Sequence, residues 1–398
     1  MKKGWQTKTI GDVCEFQRGL TYAKGDEVNV SNNVVLRATN IDLGTNLLIF
    51  HELKYINDKI VVPKSKMVKK GSLMICTASG SKSHLGKVAY IDDDYGYAFG
   101  GFMGMLTPAS GLLPRYLFHL MTSEDYKDFI GALSDGANIN NLTFDNLKRF
   151  PVPVPPLDEQ QRIVGLLDEA FEGLATAKAN AEKNLQNARA LFESHLQSVF
   201  TQRGSGWVEK RFDEVCAITS TLVDPRKKEF LDLIHVGAGN IESKTGALAE
   251  LKTAREEGLI SGKFLFDDSM VLYSKIRPYL MKVARPDFEG LCSADMYPLA
   301  PIPNAVTRDY LFHLLLSKHF TDYAIQGSAR AGMPKVNREH LFEFRVWLPD
   351  VKKQKQLAAN LDSLHEETQR LTHLYEQKLA ALDALKKSLL HQAFSGQL

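Results

Sequence analysis

The chain has 398 residues, 44% of them hydrophobic, with 49 basic against 47 acidic side chains and a formal net charge of +2. That length carries two globular domains plus long helices. The balance of charge excludes a global polycation, so any nucleic-acid contact has to come from local patches.

The opening MKKGWQTKTIGD lacks the apolar run of a signal peptide, and no stretch reaches membrane-span length. The expectation is a cytoplasmic protein without a membrane partner. Cys14, Cys76, Cys216 and Cys292 form neither a CxxC nor a metal-ligand spacing, which fits a reducing compartment. Cys14 and Cys216 follow valine in matching contexts and read as small core residues.

The first globule reads as mixed α/β. Residues 33–37, 72–77 and 87–90 are strand-like, and 114–133 is a helix with one apolar face. Pro155 then opens a run without further proline to Phe200, which reads as one long helix. Gly204-Ser205-Gly206 is a flexible joint. The second globule repeats the order, with strands at 231–236, 270–274 and 297–299 and a helix at 308–325. Pro349 opens a second long helix to Phe394.

The chain is one unit written twice. Tyr116-Leu117-Phe118-His119-Leu120 matches Tyr310-Leu311-Phe312-His313-Leu314 at an offset of 194. The same offset carries Phe150 to Phe344, Gln160 to Gln354, Asp168 to Asp362 and Phe200 to Phe394. Upstream it drifts, reaching 202 between Trp5 and Trp207, as small loop insertions would produce. Stepping at 3.5 residues, the second helix shows Leu357, Leu361, Leu364, Thr368, Leu371, Tyr375, Lys378, Leu382, Leu385 and Leu389. The first shows Ile163, Leu167, Ala170, Leu174, Ala177, Ala181, Asn184, Ala188, Leu191 and His195. A leucine seam on an alanine seam interdigitates large with small, so the helices are expected to pair. The fold class is α+β: two mixed α/β domains separated by two long antiparallel coiled-coil helices in a pseudo-twofold internal repeat. The boundaries are 1–154, 155–203, 204–348 and 349–398.

Catalytic motifs are missing. There is no Asn/Asp-Pro-Pro-aromatic motif of amino-methyltransferases and no glycine-rich cofactor fingerprint. Gly80 to Lys87 only superficially follows a P-loop, and Pro286-Asp287 lacks the Glu-x-Lys of a nuclease carboxylate cluster. His119 and His313 lie inside apolar helices and read as core histidines. What recurs instead is polar and basic loops in matching places. The first globule has Ser81, Lys82, Ser83, His84 and Lys87 after a strand, and the second has Lys275, Arg277, Tyr279 and Lys282. A second pair follows the apolar helices: Asn138, Asn140, Asn141 and Lys148 in one copy, Arg330, Lys335, Asn337 and Arg338 in the other. Such groups reach phosphates and guanine edges. One basic loop is ordinarily solvated surface; recurrence in both copies favours DNA.

These residues resemble the specificity subunits of type I restriction-modification systems. The resemblance rests on Pro156-Leu157-Asp158-Glu159-Gln160-x-x-Ile163 after an aromatic-Pro-Val-Pro strand, the long helix behind it, and the second copy ending Leu390-x-x-Ala393-Phe394-Ser395-Gly396. The second copy has Lys353-Gln354 for Glu159-Gln160, so a contact assigned to that acid does not carry over. The resemblance implies two target-recognition domains, each reading one half of an asymmetric, split double-stranded DNA target. It implies helical spacers that dock two modification subunits, with Leu157, Glu159, Gln160, Ile163, Leu167, Leu357, Leu361, Leu364 and Leu382 on those helices. S-adenosylmethionine would belong to the modification subunits, ATP and Mg to the restriction subunits, and no cofactor or metal to this chain, which is then not an enzyme. Helices of about forty residues span roughly 60 Å, enough to set the gap between half-sites. A coiled-coil scaffold with two protein-binding heads is the main alternative.

Overall fold

The computed structural model describes residues 4–81, 84–134, 141–328 and 334–398. Its contacts divide the chain into two units, Met1–Ala181 with Gln377–Leu398, and Glu182–Glu376. Both boundaries fall inside long helices. Each unit therefore holds one globular head and half of each helix, a different division from the four consecutive segments marked on the sequence.

The long helices are Leu157–Thr201 and Val351–Ser395, 45 residues each. In the first unit Lys178 Nζ lies 3.0 Å from Asp383, and Arg162 donates to the Leu398 carbonyl at 2.8 Å, so the two segments run antiparallel. In the second, Arg189 meets Glu376 at 2.7 Å, and the Phe192 and His365 rings are 4.7 Å apart. The seam departs from the 3.5-residue frame. Ile163, Leu167, Ala181 and Ala188 are buried on the frame, but the stripe then moves to Phe192 and Leu196, leaving Leu191 exposed. On the other helix Lys378 and Leu385 are exposed, while Leu379 and Lys386 are half-buried. A straight helix drifts by about 20° per heptad, so four heptads move the buried stripe by almost one residue. The polar positions Asn184, His195 and Lys378 fall outside the seam for this reason.

Each head begins with a two-stranded ribbon, Gln6–Thr9 against Pro151–Val154 or Val208–Arg211 against Arg345–Leu348, which delivers the chain to the start of a long helix. An antiparallel sheet follows in the order Cys14–Arg18, Met103–Pro108, Leu73–Cys76, Val88–Tyr90. Its counterpart is Cys216–Ala217, Met296–Pro301, Val271–Ser274, Val283–Ala284. A second sheet contains one parallel pair in each head, Asn33–Leu36 with Ala98–Phe99 and Ile234–Val236 with Gly290–Cys292. The helices Pro114–Leu120 and Arg308–Leu316 pack on the first sheets.

The long helices close the head cores. Ile163, Leu167, Leu390, Ala393 and Phe394 join the first core; Phe192, Leu196, Phe200, Ala358 and Leu361 join the second. Phe394 lies against Tyr116 and Phe200 against Tyr310. All four cysteines are buried free thiols, as small core residues.

The single head helices expected at 114–133 and 308–325 are each two. They run Pro114–Leu120 then Glu124–Ser134, and Arg308–Leu316 then Lys318–Gln326. A serine makes each break. Ser123 Oγ donates to the Leu120 carbonyl at 2.7 Å and accepts from Tyr126 N at 3.3 Å. Ser317 does the same toward Leu314 and Phe320 at 2.6 and 3.2 Å. The hydroxyl satisfies an end of both helices, so the apolar periodicity passes through a corner. Among the described residues no helix is long and apolar enough to cross a membrane.

Candidate nucleic-acid interface

In each head the loop after the third strand of the first sheet meets the segment that follows the helix pair. Ala78 bridges Asn141, and Leu142 N donates to the Thr77 carbonyl at 2.6 Å. In the second head Ile276 bridges Lys335, Val336 N donates to the Lys275 carbonyl at 2.8 Å, and Arg277 N donates to the Pro334 carbonyl at 2.8 Å. The two loop pairs singled out from the sequence thus become one surface in each head. Backbone pairing fixes their register, so the presented side chains sit on a defined edge.

Three expected DNA-facing lysines turn inward instead. Lys87 is 9% exposed; its Nζ donates to the Ile41 carbonyl and lies 2.8 Å from His84 Nδ1. Lys282 Nζ donates to the Ala238 carbonyl at the matching turn of the other head. Lys275 Nζ donates to the Ala294 carbonyl and sits 3.9 Å from Asp295. Burial lowers the pKa of Lys87, and burial followed by the nearby Lys335 lowers that of Lys275. Burial first, then Lys87, lowers that of His84. These ammonium groups hold loop carbonyls together, so at least one donor of each is committed within its own head.

The outward set is smaller. Arg277, Tyr279, Lys335 and Arg338 are exposed in the second head, although Arg338 also donates to the Ile218 carbonyl at 3.0 Å and lies over the Phe342 ring. Ser81 and Asn141 are exposed in the first. Lys82, Ser83, Asn138, Asn140 and Arg330 lie outside the described residues. The structure adds Phe102 and Arg18. The Phe102 carbonyl accepts from Thr77 N and Ala78 N, and the residue is 74% exposed. The Arg18 guanidinium lies 5.4 Å from the centre of the Phe144 ring. An aromatic between glycines, Gly100-Gly101-Phe102-Met103-Gly104, was the signal available for the first.

The helix residues expected to dock partners mostly serve the head–helix junctions. Gln160 is fully buried. It accepts from Leu113 N at 2.8 Å and donates to the carbonyls of Gly111 and Pro155 at 2.8 and 2.9 Å. Gln354 repeats this with Thr307 N, Ala305 and Pro349, each at 2.9 Å. Ile163, Leu167 and Leu361 are buried in the same junctions, with Leu357 and Leu364 packed on the second core. A fully committed amide and buried aliphatics offer a partner nothing. Leu157 is exposed, Leu382 is half-buried, and Glu159 is held by Arg162 at 2.6 Å.

A second device repeats beside the glutamine. His119 Nε2 meets Asp168 at 2.7 Å, with Arg115 on the same carboxylate; His313 Nε2 meets Asp362 at 2.8 Å, with Arg285 alongside. Both histidines are buried as expected, and burial lowers their pKa despite the adjacent carboxylate. Burial raises the carboxyls of Asp168 and Asp362, but the histidine and arginine hydrogen bonds outweigh it and hold both at about 2. In this neutral form Nε2–H donates to the carboxylate, and Nδ1 is a buried acceptor without a partner among the described residues. The geometry braces a helix against a head; it presents no nucleophile to solvent.

Two duplicated heads, each with one loop-built polar surface and a rigid junction to long helices, define a tandem recognition protein. The family model for the type I restriction modification DNA specificity domain matches twice, at residues 2–185 and 204–381. The chain belongs to that family. It is 35% identical over 194 residues to the type I restriction enzyme EcoDI specificity subunit of Escherichia coli, a match spanning 49% of this chain and 43% of that one. It is 23% identical to the StySPI specificity subunit of Salmonella potsdam, covering 100% of this chain and 90% of that one. Among solved structures, a chain from a study of complex assembly and conformational transition of the type I R-M system superposes with a TM-score of 0.74 at 17% identity, over 100% and 99% of the two chains. HsdS of Thermoanaerobacter tengcongensis gives 0.65 at 18% identity, over 100% and 98%. At those identities the structures speak for the fold.

Proposed function

We propose that this chain selects the DNA target of a cytoplasmic type I restriction-modification complex and performs no chemistry itself. Each head reads one half of a bipartite duplex sequence. Modification subunits, docked along exposed parts of the long helices, bring S-adenosylmethionine and methylate the site; restriction subunits bring ATP and Mg.

The observation that carries this reading is a contrast inside the chain. The frames of the two heads coincide in register, glutamine lock and histidine–aspartate brace, while the paired loops display unlike side chains. One head offers Ser81, Asn141 and Phe102, and the other Arg277, Tyr279 and Lys335. A shared frame carrying different donors suits two different half-sites, because base choice rests on which groups reach the groove edge.

The test is to express the chain with its modification subunit in cells lacking other adenine methylation and to sequence the methylated DNA. The expected outcome is one asymmetric motif of two short blocks separated by unread bases. A continuous motif, or duplex binding that is insensitive to salt in the purified complex, would overturn the proposal.

A further inference from the structure

Arg277 stands in a left-handed backbone conformation, φ 50° and ψ 61°, a region costly to any residue with a Cβ and habitual only for glycine and asparagine. Pro278 follows it, and Met281, also left-handed at φ 50°, closes the turn. Three backbone hydrogen bonds fix the loop: Arg277 N to the Pro334 carbonyl, Leu280 N to Arg277, and Met281 N to Pro278, at 2.8, 2.9 and 2.9 Å.

The duplicated head separates two reasons for that strain. Met281 occupies the place of Gly86, which is left-handed at φ 77°; both residues precede the inward lysine, Lys87 or Lys282. The shared frame therefore imposes the conformation of Met281, whose side chain packs against the second core. Arg277 differs. Its counterpart, next after the bridging residue Ala78, is Ser79, which is absent from the left-handed residues. The frame does not require the strain at 277. Packing does not offset it either, because the side chain is exposed and has no hydrogen-bond or ion-pair partner among the described residues. Glycine or asparagine would sit there with less strain, so the arginine is retained for what its guanidinium does outside the chain.

We infer that Arg277 is a preorganised base-reading residue that selects a guanine in the half-site read by the second head. The inference rests on the function proposed above and assigns one position of that target. A guanidinium holds its donors in a planar fork, which matches the O6 and N7 acceptors that guanine presents in the major groove. Phosphate would also accept the fork. A phosphate contact, however, does not need a backbone locked by a proline and three hydrogen bonds, whereas base reading depends on placement within about half an ångström. Lys335, bridged to Ile276, and the 51% exposed Tyr279 flank the same edge and can hold the backbone while Arg277 reads.

The experiment compares methylomes of cells carrying the full chain with its modification subunit as parent, Arg277→Ala, Arg277→Lys and Arg277→Gly. The parent motif should hold a G·C pair at a fixed place in one half-site. The alanine and glycine variants should lose discrimination at that place alone by about ten- to a hundredfold, as expected for one bidentate pair, with the other half-site unchanged. Arg277→Lys should retain part of it. Arg277→Gly should melt no lower than the parent, since it relieves the backbone, so its lost discrimination cannot be a folding failure. An unchanged motif overturns the inference. So does weaker methylation at every site without a change of motif, the signature of a phosphate contact. A parent that yields no bipartite motif overturns the underlying function as well.

Discussion

Replacing Gln160 or Gln354 by leucine should damage one head and spare the other. Each amide spans three backbone groups at a head–helix junction, one N–H and two carbonyls. Leucine fills similar volume but leaves all three without a partner in a site that is 0% or 1% exposed. A buried unsatisfied group costs about 1–3 kcal/mol, and carbonyls left alone fall at the low end, so the expected loss is about 3–5 kcal/mol. Glutamate is the sharper probe. Its carboxylate can still accept from Leu113 N or Thr307 N, but its other oxygen faces two carbonyl oxygens, so the folded state favours the protonated acid. Its folded pKa is then raised, and stability relative to the parent falls as pH rises from about 4 through that folded value. Hydrogen exchange of the full chain reads both effects. Gln160→Leu should expose the Leu113 amide while Thr307 stays protected, and Gln354→Leu should reverse the pattern. A loss below about 1 kcal/mol with both amides still protected would refute the assignment of the glutamines as locks.

The braces predict the acid limb of stability. Asp168 and Asp362, held at about 2, contribute stability that is present above about 4 and lost as pH falls toward 2. Solvent reaches 37% and 31% of these side chains, so screening reduces each to about 1–1.5 kcal/mol. Their histidines, lowered by burial, add a further loss as pH falls below about 6.5; Asp168→Asn with Asp362→Asn should remove the lower limb in a melting series and keep the upper one. Lys87→Met and Lys282→Met should lower stability without changing the salt slope of duplex binding, whereas Lys335→Ala should flatten that slope by about one unit. Equal slopes for all three variants would remove Lys335 from the phosphate contacts.

The frame was readable because duplication supplies its own control. The constant offset through residues 116–200 marked the junctions, and the strands at 73–76, 88–90 and 271–274 lie within a residue of their expected places. Other features needed three dimensions. A 3.5-residue frame cannot register the slow rotation of a straight helix, so Leu191 and Leu385 were assigned to a seam that passes through Phe192 and Lys386. Ser123 and Ser317 were legible as caps, each opening a polar turn, but the apolar stripe on both sides masked them. The inward turn of the lysines also depends on the fold. Lys87 immediately precedes a strand whose Val88 and Ala89 are both fully buried, so its place in the fold draws it inward, against its charge. In the sequence Gln160 belongs to a recurring motif on a helix expected to dock partners. Sequence records that a glutamine recurs; only the fold shows that both ends of its amide are already used.

The braces show what duplication preserves when residues change. In the first unit the guanidinium comes from Arg115 on the head helix and lies 5.2 Å from the ring centres of Tyr90 and Phe118. In the second, the place of Arg115 is taken by Asp309 and that of Tyr90 by Arg285. Arg285 reaches Asp362 from the strand side, pairs with Asp309 at 2.8 Å, and lies 4.5 Å from the centre of the Phe312 ring. The cation has moved to another element, yet it meets the equivalent carboxylate and the equivalent aromatic. A surface ion pair drifts freely, because it contributes little. This one sits beside a buried histidine that donates to the same carboxylate, and a charge left there without its cation would weaken the grip of the long helix on its head. The position of the arginine can therefore vary between copies while its presence cannot. The paired loops obey the opposite rule: their backbone pairing is kept and their side chains diverge. Constancy of arrangement at the junctions, with divergence at the loop edges, separates the part of the molecule that holds a head from the part proposed to choose bases.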